Sequence, residues 1–199
     1  PRQVIKAMVQ VIAPKVDETV YDPGCGTGGF LAQSYEFMRA QLGSKATASQ
    51  LETLKLRTFW GREKENLVYP IALANLVLHG IDKPNLWHGN TLTGQETYGG
   101  LFTKAPALFD VVLTNPPFGG EEERGIQQNF PDDKRTAETA LLFLQLIMRK
   151  LKRPGHGSET GGRAAVVVPN GVLFGDGVAA RIKEDLLKNF NLHTIVRLP

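Results

Sequence analysis

The sequence predicts an α/β domain in which a mostly parallel β-sheet is covered by helices on both faces. Short apolar runs rich in β-branched residues alternate with segments of helical periodicity along the chain, and this alternation is typical of parallel sheets. A glycine-rich turn and a proline-rich turn directly follow two of the predicted strands. Because ligands bind at the carboxyl ends of strands in open parallel sheets, both turns are candidate sites.

The predicted strands are short and bounded by turn residues, and they cover residues 19–21, 59–63, 86–88, 110–114, 163–168 and 192–198. The predicted helices repeat apolar residues every three or four positions. They cover residues 3–13, the segment from the glycine-rich turn to about 42, and residues 50–56, 64–79, 136–152 and 179–189. Residues 93–107 and 121–135 are predicted loops. The second borders the proline-rich turn, and three roles stay open for it: a lid, a contact with nucleic acid or an ordinary surface loop.

Composition is that of an ordinary globular domain. The 199 residues are 42% hydrophobic and 22% charged, with a net charge of +3 that permits nucleic-acid contact without requiring it. No apolar run approaches the roughly 20 residues that span a membrane, so we expect a soluble, cytoplasmic protein. The single cysteine, Cys25, excludes an internal disulfide and a cysteine zinc cluster. The four histidines lack ligand spacing, and no metal site is predicted.

A stiff group of hydrogen-bond acceptors is predicted at Asn115, Pro116, Pro117 and Phe118, directly after the strand at 110–114. The two prolines fix φ and remove two backbone donors, so this segment can neither extend the ladder nor begin a helix. The side-chain oxygen of Asn115 and the carbonyl of Pro116 can accept both hydrogens of one amine, and Phe118 offers a flat apolar face. The segment, here called the acceptor arm, therefore suits a planar substrate that carries an NH2 group.

The glycine-rich turn, residues 22–30, follows the first predicted strand and opens a helix. Its glycines let a ligand approach the backbone closely, and the helix N-terminus behind them completes a cofactor cradle. The spacing differs from the Gly-x-Gly-x-x-Gly of dinucleotide sites, and Asp22 favours a cationic group over a phosphate. Cys25 is predicted to be a small buried filler. Glu63, which ends the next strand, is positioned to accept hydrogen bonds from ribose hydroxyls, with a solvated surface charge as the alternative.

Both turns resemble motifs of the S-adenosylmethionine-dependent amino-methyltransferases that modify exocyclic adenine nitrogens in DNA. Asn-Pro-Pro-Phe at 115–118 is similar to their catalytic motif. Asp-Pro-Gly-Cys-Gly-Thr-Gly-Gly-Phe at 22–30 is similar to their turn for the methionine part of the cofactor. Gly-Gly-Arg-Ala-Ala-Val-Val-Val-Pro-Asn-Gly-Val-Leu-Phe at 161–174 resembles the methylation subunits of type I restriction-modification systems. The resemblance spans nearly the whole chain.

The resemblance implies a Rossmann-like class I methyltransferase fold and methyl transfer from S-adenosylmethionine to the N6 amino group of a flipped adenine. The implied catalytic residues are Asn115, Pro116, Pro117 and Phe118. The implied cofactor-binding residues are Arg2, Asp22, Gly24, Gly26, Thr27, Gly28, Gly29, Phe30, Glu63 and Asn90. Two positions depart from the family pattern. Pro1-Arg2 matches only the end of a Tyr-Thr-Pro-Arg-like segment. Asn90 stands where an Asp usually accepts from the cofactor's adenine amine, so we expect weaker cofactor binding.

We expect residues 1–199 to be the methyltransferase catalytic domain of a longer protein, with an N-terminal helical region and a C-terminal region outside it. The resemblance implies double-stranded DNA, a specificity subunit, a restriction subunit and a second methylation subunit as partners. Two alternatives stay open. Protein glutamine methyltransferases also use Asn-Pro-Pro, but Tyr typically follows it where this chain has Phe118. A non-catalytic assembly module that retains the fold is the other alternative.

Overall fold

A single parallel sheet forms the centre of the molecule. The structure, a computed structural model, describes residues 2–93, 104–155 and 157–198. Pro1 and most of the predicted loop at 93–107 lie outside the described residues. The strands are β1 (Val20–Asp22), β2 (Phe59–Glu63), β3 (Asn85–His88), β4 (Val111–Thr114) and β5 (Arg163–Val166). Their order across the five-stranded sheet is β3-β2-β1-β4-β5, and every neighbouring pair is parallel.

Helices cover both faces of this sheet. They are α1 (Arg2–Ile12), α2 (Gly29–Leu42), α3 (Ala48–Arg57), α4 (Val68–Leu78), α5 (Arg124–Gln127), α6 (Thr139–Lys150), α7 (Asn170–Phe174) and α8 (Val178–Asn189). Successive strand residues point to opposite faces, so Val20 packs with α1 to α4 while Tyr21 packs with α6. A further cluster joins α6 to α7 and α8. The predicted α/β fold with a parallel sheet and two helical layers is confirmed.

Three local predictions need correction. The helix predicted from 64 begins at Val68, and the short helices α5 and α7 lie within segments predicted without helix. The strand predicted at 192–198 is wrong, because these residues have no regular secondary structure. Their apolar side chains, Ile195 and Val196 among them, are exposed. A strand needs a neighbour to satisfy its backbone groups, and none of the described strands pairs with this segment.

Gly61 lies where β2 meets the layer formed by α1 to α4. A Cβ at this position would stand 2.7 Å from Leu86 Cδ2, 2.9 Å from Leu31 Cδ1 and 3.3 Å from Cys25 Cβ. Because overpacking a core typically costs about 1–3 kcal/mol, Gly61→Ala should lower the melting temperature by several degrees. Gly125→Ala is the matched control, since no atom lies within 4 Å of a Cβ there. Equal melting temperatures for the two variants would contradict this packing.

Candidate active site

The carboxyl ends of four neighbouring strands bring the predicted polar residues to one edge of the sheet. Asp22 and Glu63 are the last residues of β1 and β2, Asn90 follows β3 by two positions, and Asn115 comes directly after β4. Because these strands are parallel and adjacent, residues that are distant in sequence line the same rim. This is the edge at which open α/β sheets bind ligands.

The glycine-rich turn is fastened to the end of β2. The Cys25 N–H donates to the Arg62 carbonyl at 2.9 Å, and the Gly26 N–H donates to Glu63 Oε2 at 2.8 Å. Gly28 precedes α2 in the left-handed conformation at φ 80°, which strongly favours glycine. Gly26 has φ 53°, and no atom lies within 4 Å of a Cβ built there. The end of β2 therefore holds the turn in place, while the space beside Gly26 stays open for a ligand.

The start of α1 lies against the start of α2. A Cβ on Gly29 would stand 3.0 Å from Ile5 Cδ1, and the exposed Arg2 lies one turn before Ile5 on the same helix face. The Thr27 carbonyl accepts from Asn75 Nδ2 at 2.8 Å, which ties the turn to α4. Phe30 is buried in the main core, so its ring supports the turn from inside while its backbone lies at the helix N-terminus.

Asp22 is a buried carboxyl at the base of the glycine-rich turn. Only 1% of the residue is exposed, and its Oδ1 accepts from the Gly24 N–H at 3.2 Å. Burial raises its pKa to about 7, and the charge of Glu63 adds to the rise, whereas the Thr114 hydroxyl and the Gly24 N–H oppose it. A cationic ligand would restore the ionised form. Two carboxyl groups at this turn disfavour a phosphate group and favour a cationic ligand.

Glu63 links the glycine-rich turn to the exit of β2. It is 8% exposed, and besides Gly26 its second oxygen accepts from the Glu65 N–H at 2.8 Å. A carboxylate offers about four acceptor positions, so both oxygens keep a lone pair for further donors. The structure therefore places Glu63 at the turn, as the sequence predicted, and gives it a role in holding that turn.

Asn90 is held at both ends of its amide. Its Oδ1 accepts from the Leu92 N–H at 2.9 Å, and its Nδ2 donates to Glu122 Oε2 at 3.1 Å. The two partners define the amide orientation, because a backbone N–H faces only the oxygen and a carboxylate faces only the nitrogen. Sequence reasoning missed Glu122, which is 8% exposed. Three consecutive glutamates at 121–123 show no periodicity that distinguishes the buried one.

The acceptor arm leaves the sheet beside the glycine-rich turn. Thr114, the residue before Asn115, is buried, and its hydroxyl lies near enough to the Asp22 carboxyl to lower the pKa of that group, so the arm starts one residue from a side chain that acts on that turn. Pro116 is buried, whereas Asn115 and Pro117 are exposed and Phe118 is 51% exposed. The arm is thus anchored by one proline and presents its amide and ring outward.

A second exposed aromatic ring follows the neighbouring strand. Phe174 is the last residue of α7, lies beyond the carboxyl end of β5 and is 79% exposed. Sequence reasoning included it in a matching segment but gave it no role. Cys25, in contrast, is buried, as predicted, and burial raises the pKa of its thiol well above the usual value. Across residues 2–93, 104–155 and 157–198, no group of three or more His, Cys, Asp or Glu side chains is arranged to hold a metal ion.

Comparison with known proteins agrees with this geometry. The profile of the N-6 DNA methylase family matches residues 1–199. The chain belongs to this family. It is 44% identical over 200 residues to the type I restriction enzyme EcoEI methylase subunit of Escherichia coli, a match that covers 100% of this chain and 38% of that protein. The chain thus spans little more than a third of this relative's length.

Solved structures of similar proteins share the fold. One from Vibrio vulnificus YJ016, described as a modification subunit of a type I restriction enzyme, is 54% identical with a TM-score of 0.85. The alignment covers 97% of this chain and 38% of that one. A chain from a study of complex assembly and conformational transition in the type I restriction-modification system is 42% identical with a TM-score of 0.79, covering 94% and 35%. The predicted resemblance and the predicted class I methyltransferase fold are confirmed for this chain.

Within the described residues, no helix is both long and apolar enough to cross a membrane.

Proposed function

We propose that the protein transfers a methyl group from S-adenosylmethionine to the N6 amino group of adenine in DNA, as the modification subunit of a type I restriction-modification system. One observation carries the proposal. The glycine-rich turn with Asp22 and the acceptor arm with Asn115 leave two adjacent parallel strands, β1 and β4, at the same edge. A donor of a small group and its acceptor can therefore meet there.

The residues around the turn fit S-adenosylmethionine, which when bound supplies an electrophilic methyl group on a sulfonium. Asp22 would hold the ammonium group, and Glu63 would use its remaining lone pairs for the ribose hydroxyls. The open space at Gly26 admits the ligand against the backbone of the turn. Asn90 would face the adenine ring, and Arg2 the methionine end. The backbone of Gly24, Thr27, Gly28, Gly29 and Phe30 completes the cradle at the start of α2.

The acceptor arm would hold the target amine. The Asn115 side-chain oxygen and the Pro116 carbonyl accept its two hydrogens, which leaves the nitrogen lone pair directed at the methyl donor. Such positioning can supply most of the rate without a general base. An adenine in duplex DNA must leave the stack to reach this edge, at a cost of a few kcal/mol. Stacking on Phe118 would recover roughly 1–3 kcal/mol.

Similarity to type I methylase subunits supports a set of proposed partners. A type I system would pair this protein with double-stranded DNA, a specificity subunit, a restriction subunit and a second methylation subunit. The similarity to a chain from a study of type I complex assembly supports this part of the proposal. Recognition of the DNA sequence would then belong to the specificity subunit, and the edge described above would perform the methyl transfer.

Methyl-labelled S-adenosylmethionine tests the substrate. The protein should label unmodified plasmid DNA in the presence of a type I specificity subunit, and chromatography of the digested DNA should place the label in N6-methyldeoxyadenosine. The same incubation with a peptide-chain release factor should leave the factor unlabelled. Label in a glutamine side chain instead would replace DNA by protein as the substrate. Absence of both label and cofactor binding would favour the non-catalytic assembly module.

Phe118 offers a separate test of base stacking. Phe118→Ala should reduce kcat/KM for DNA by roughly 5- to 150-fold, the equivalent of about 1–3 kcal/mol of lost stacking. Phe118→Tyr keeps the ring and should stay within a few-fold of wild type. Fluorescence of 2-aminopurine at the target position reports the flipped base directly. If alanine gives the same rate and the same fluorescence increase as wild type, Phe118 does not stack on the base.

A further inference from the structure

Glu122 is a buried carboxylate between the cofactor side and the substrate side of the edge. Its side chain is 6% exposed, whereas its neighbours Glu121 and Glu123 are exposed. Oε2 accepts from Asn90 Nδ2 at 3.1 Å, and Oε1 lies 3.4 Å from Thr139 Oγ1 and 3.7 Å from Lys64 Nζ. Burial of a charge is costly unless partners compensate it. The three partners of the Glu122 carboxylate, Asn90, Thr139 and Lys64, provide that compensation.

The backbone of Glu122 belongs to the segment that follows the acceptor arm. Its N–H donates to the Ala137 carbonyl at 2.8 Å, and the Thr139 N–H donates to the Gly120 carbonyl at 3.0 Å. These two bonds clamp residues 120–122 against the start of α6. The carboxylate of Glu122 is therefore carried on a fixed backbone, four positions beyond Phe118, and reaches across the edge to the loop after β3.

Two partners hold the amide plane of Asn90, and Glu122 is one of them. With Leu92 N–H on Oδ1 and Glu122 on Nδ2, the amide oxygen keeps one lone pair that points away from both partners. An amide held at one end only can swivel and present its NH2 group to a ligand. With Glu122 in place, Asn90 presents its side-chain oxygen to a ligand as an acceptor. Without Glu122, the amide could present either its oxygen or its NH2 group.

We propose that Glu122 is a positioning residue for cofactor selection, which holds Asn90 so that its side-chain oxygen accepts from the amino group of the cofactor's adenine. The inference rests on the proposed function, because it takes Asn90 as the residue that faces that ring. A carboxylate from the segment after the acceptor arm thereby supports the amide of Asn90. The side chain of Glu122 thus links the residue that would select the cofactor, Asn90, to the segment that follows the acceptor arm.

Calorimetric titration with S-adenosylhomocysteine and with its purine analogue, which has hydrogen in place of the 6-amino group, tests the proposal without catalysis. The analogue lacks the amino donor and keeps N1 as an acceptor, so wild type should bind it roughly tenfold more weakly, the equivalent of about one hydrogen bond. Glu122→Ala should lose most of this discrimination. Glu122→Gln can still accept from Asn90 Nδ2 and donate to Thr139 Oγ1, so it should restore the wild-type ratio.

Three controls separate positioning from general stability. Glu121→Ala and Glu123→Ala remove the neighbouring exposed carboxylates and should leave the ratio of the two dissociation constants unchanged. In an Asn90→Ala background, where discrimination is already lost, Glu122→Ala should change the ratio no further. Melting temperatures identify any variant that does not fold. If Glu122→Ala does not fold, Glu122→Gln decides the outcome. Its ratio of the two dissociation constants must match that of wild type, whereas the ratio for Asn90→Ala must not.

The possible outcomes distinguish this inference from the function beneath it. A wild-type ratio in Glu122→Ala, an equal weakening of both ligands, or a loss of discrimination in Glu122→Gln as large as in Asn90→Ala would overturn the role of Glu122. So would a wild-type protein that binds both ligands equally. Each of these results leaves methyl transfer to DNA standing. A wild-type protein that binds neither ligand would overturn the proposed function together with this inference.

Discussion

Asn115→Ala should abolish most methyl transfer while leaving the cofactor in place. We expect kcat to fall by at least ~100-fold, since misplacement of a reacting group typically costs that much. The dissociation constant for S-adenosylmethionine should stay close to that of wild type, because Asn115 lies on the arm after β4 and the cradle lies after β1 and β2. A loss confined to kcat is the signature of an interaction made with the reacting amine.

Two further substitutions make this result specific. Asn115→Asp keeps an acceptor oxygen at the same distance from the backbone and should retain more activity than alanine does. Asn189→Ala removes an exposed amide at the end of α8 and should leave the rate unchanged. Single-turnover measurements with saturating cofactor separate the chemical step from product release. If Asn115→Ala turns over at the wild-type rate, the acceptor arm does not hold the target amine.

Asp22→Asn should weaken S-adenosylmethionine binding at pH 8 by roughly 10- to 150-fold, because hydrogen bonds to charged groups contribute about 1.5–3 kcal/mol. The effect should shrink at pH 6, where the wild-type carboxyl is itself largely protonated. Burial raises the pKa of Asp22 to about 7, with Glu63 also raising it and the Thr114 hydroxyl and Gly24 N–H lowering it. Two further titratable groups interact with Asp22, the Cys25 thiol and the Tyr21 hydroxyl, and burial raises the pKa of both.

The pH dependence of binding has a defined sign. A cationic ligand needs ionised Asp22, so wild-type affinity should rise by about tenfold between pH 6 and pH 8, and binding near pH 6 should release a proton. Calorimetry in buffers of different ionisation enthalpy counts that proton, and Asp22→Asn should release none. Affinity independent of pH in the wild type, or an equal slope in the variant, would remove Asp22 from the ammonium site.

The stability of the unliganded protein should change in the opposite direction. The folded-state pKa of about 7 lies above the ordinary value of 3.8, so the folded protein binds more protons than the unfolded chain between these two values. The free energy of unfolding therefore falls as pH rises from 3.8 to about 7, and the stabilising contribution of protonated Asp22 is lost above that pH. Asp22→Asn should accordingly raise the melting temperature at pH 8 more than at pH 5, even as it weakens binding.

Strand order along the chain and the location of both turns could be predicted because each depends on local sequence. The run at 110–114 and the prolines after it leave few conformations open, and glycine at position 28 is matched by its φ of 80°. Parallel pairing then places the ends of β1 to β4 at one edge by topology alone. This is why the cradle and the acceptor arm were predicted at the same edge before their contacts were known.

Other features depend on tertiary contacts that no local pattern records. The burial of Glu122 arises because α6 and the loop after β3 close around one of three consecutive glutamates. The prediction for Asn90 named only its oxygen as an acceptor for a ligand, and it did not include the bonds of the amide to the Leu92 N–H and to Glu122. The run at 192–198 has strand-like composition, but composition cannot supply the neighbouring strand that ladder formation requires. Sequence thus predicted the edge of the sheet that carries the candidate site, and packing decided how the side chains there are held.

The central claim is that a methyl donor on the glycine-rich turn and an adenine on the acceptor arm meet at one edge. A structure of the protein with S-adenosylhomocysteine or a non-reactive cofactor analogue, its specificity subunit and target DNA tests this most directly. The account predicts a flipped adenine whose N6 amine contacts Asn115 and Pro116, with the amine nitrogen about 3–3.5 Å from the position of the transferred methyl carbon. A cofactor bound away from the turn of residues 22–30, or an adenine separated from it by packed side chains, would contradict the account.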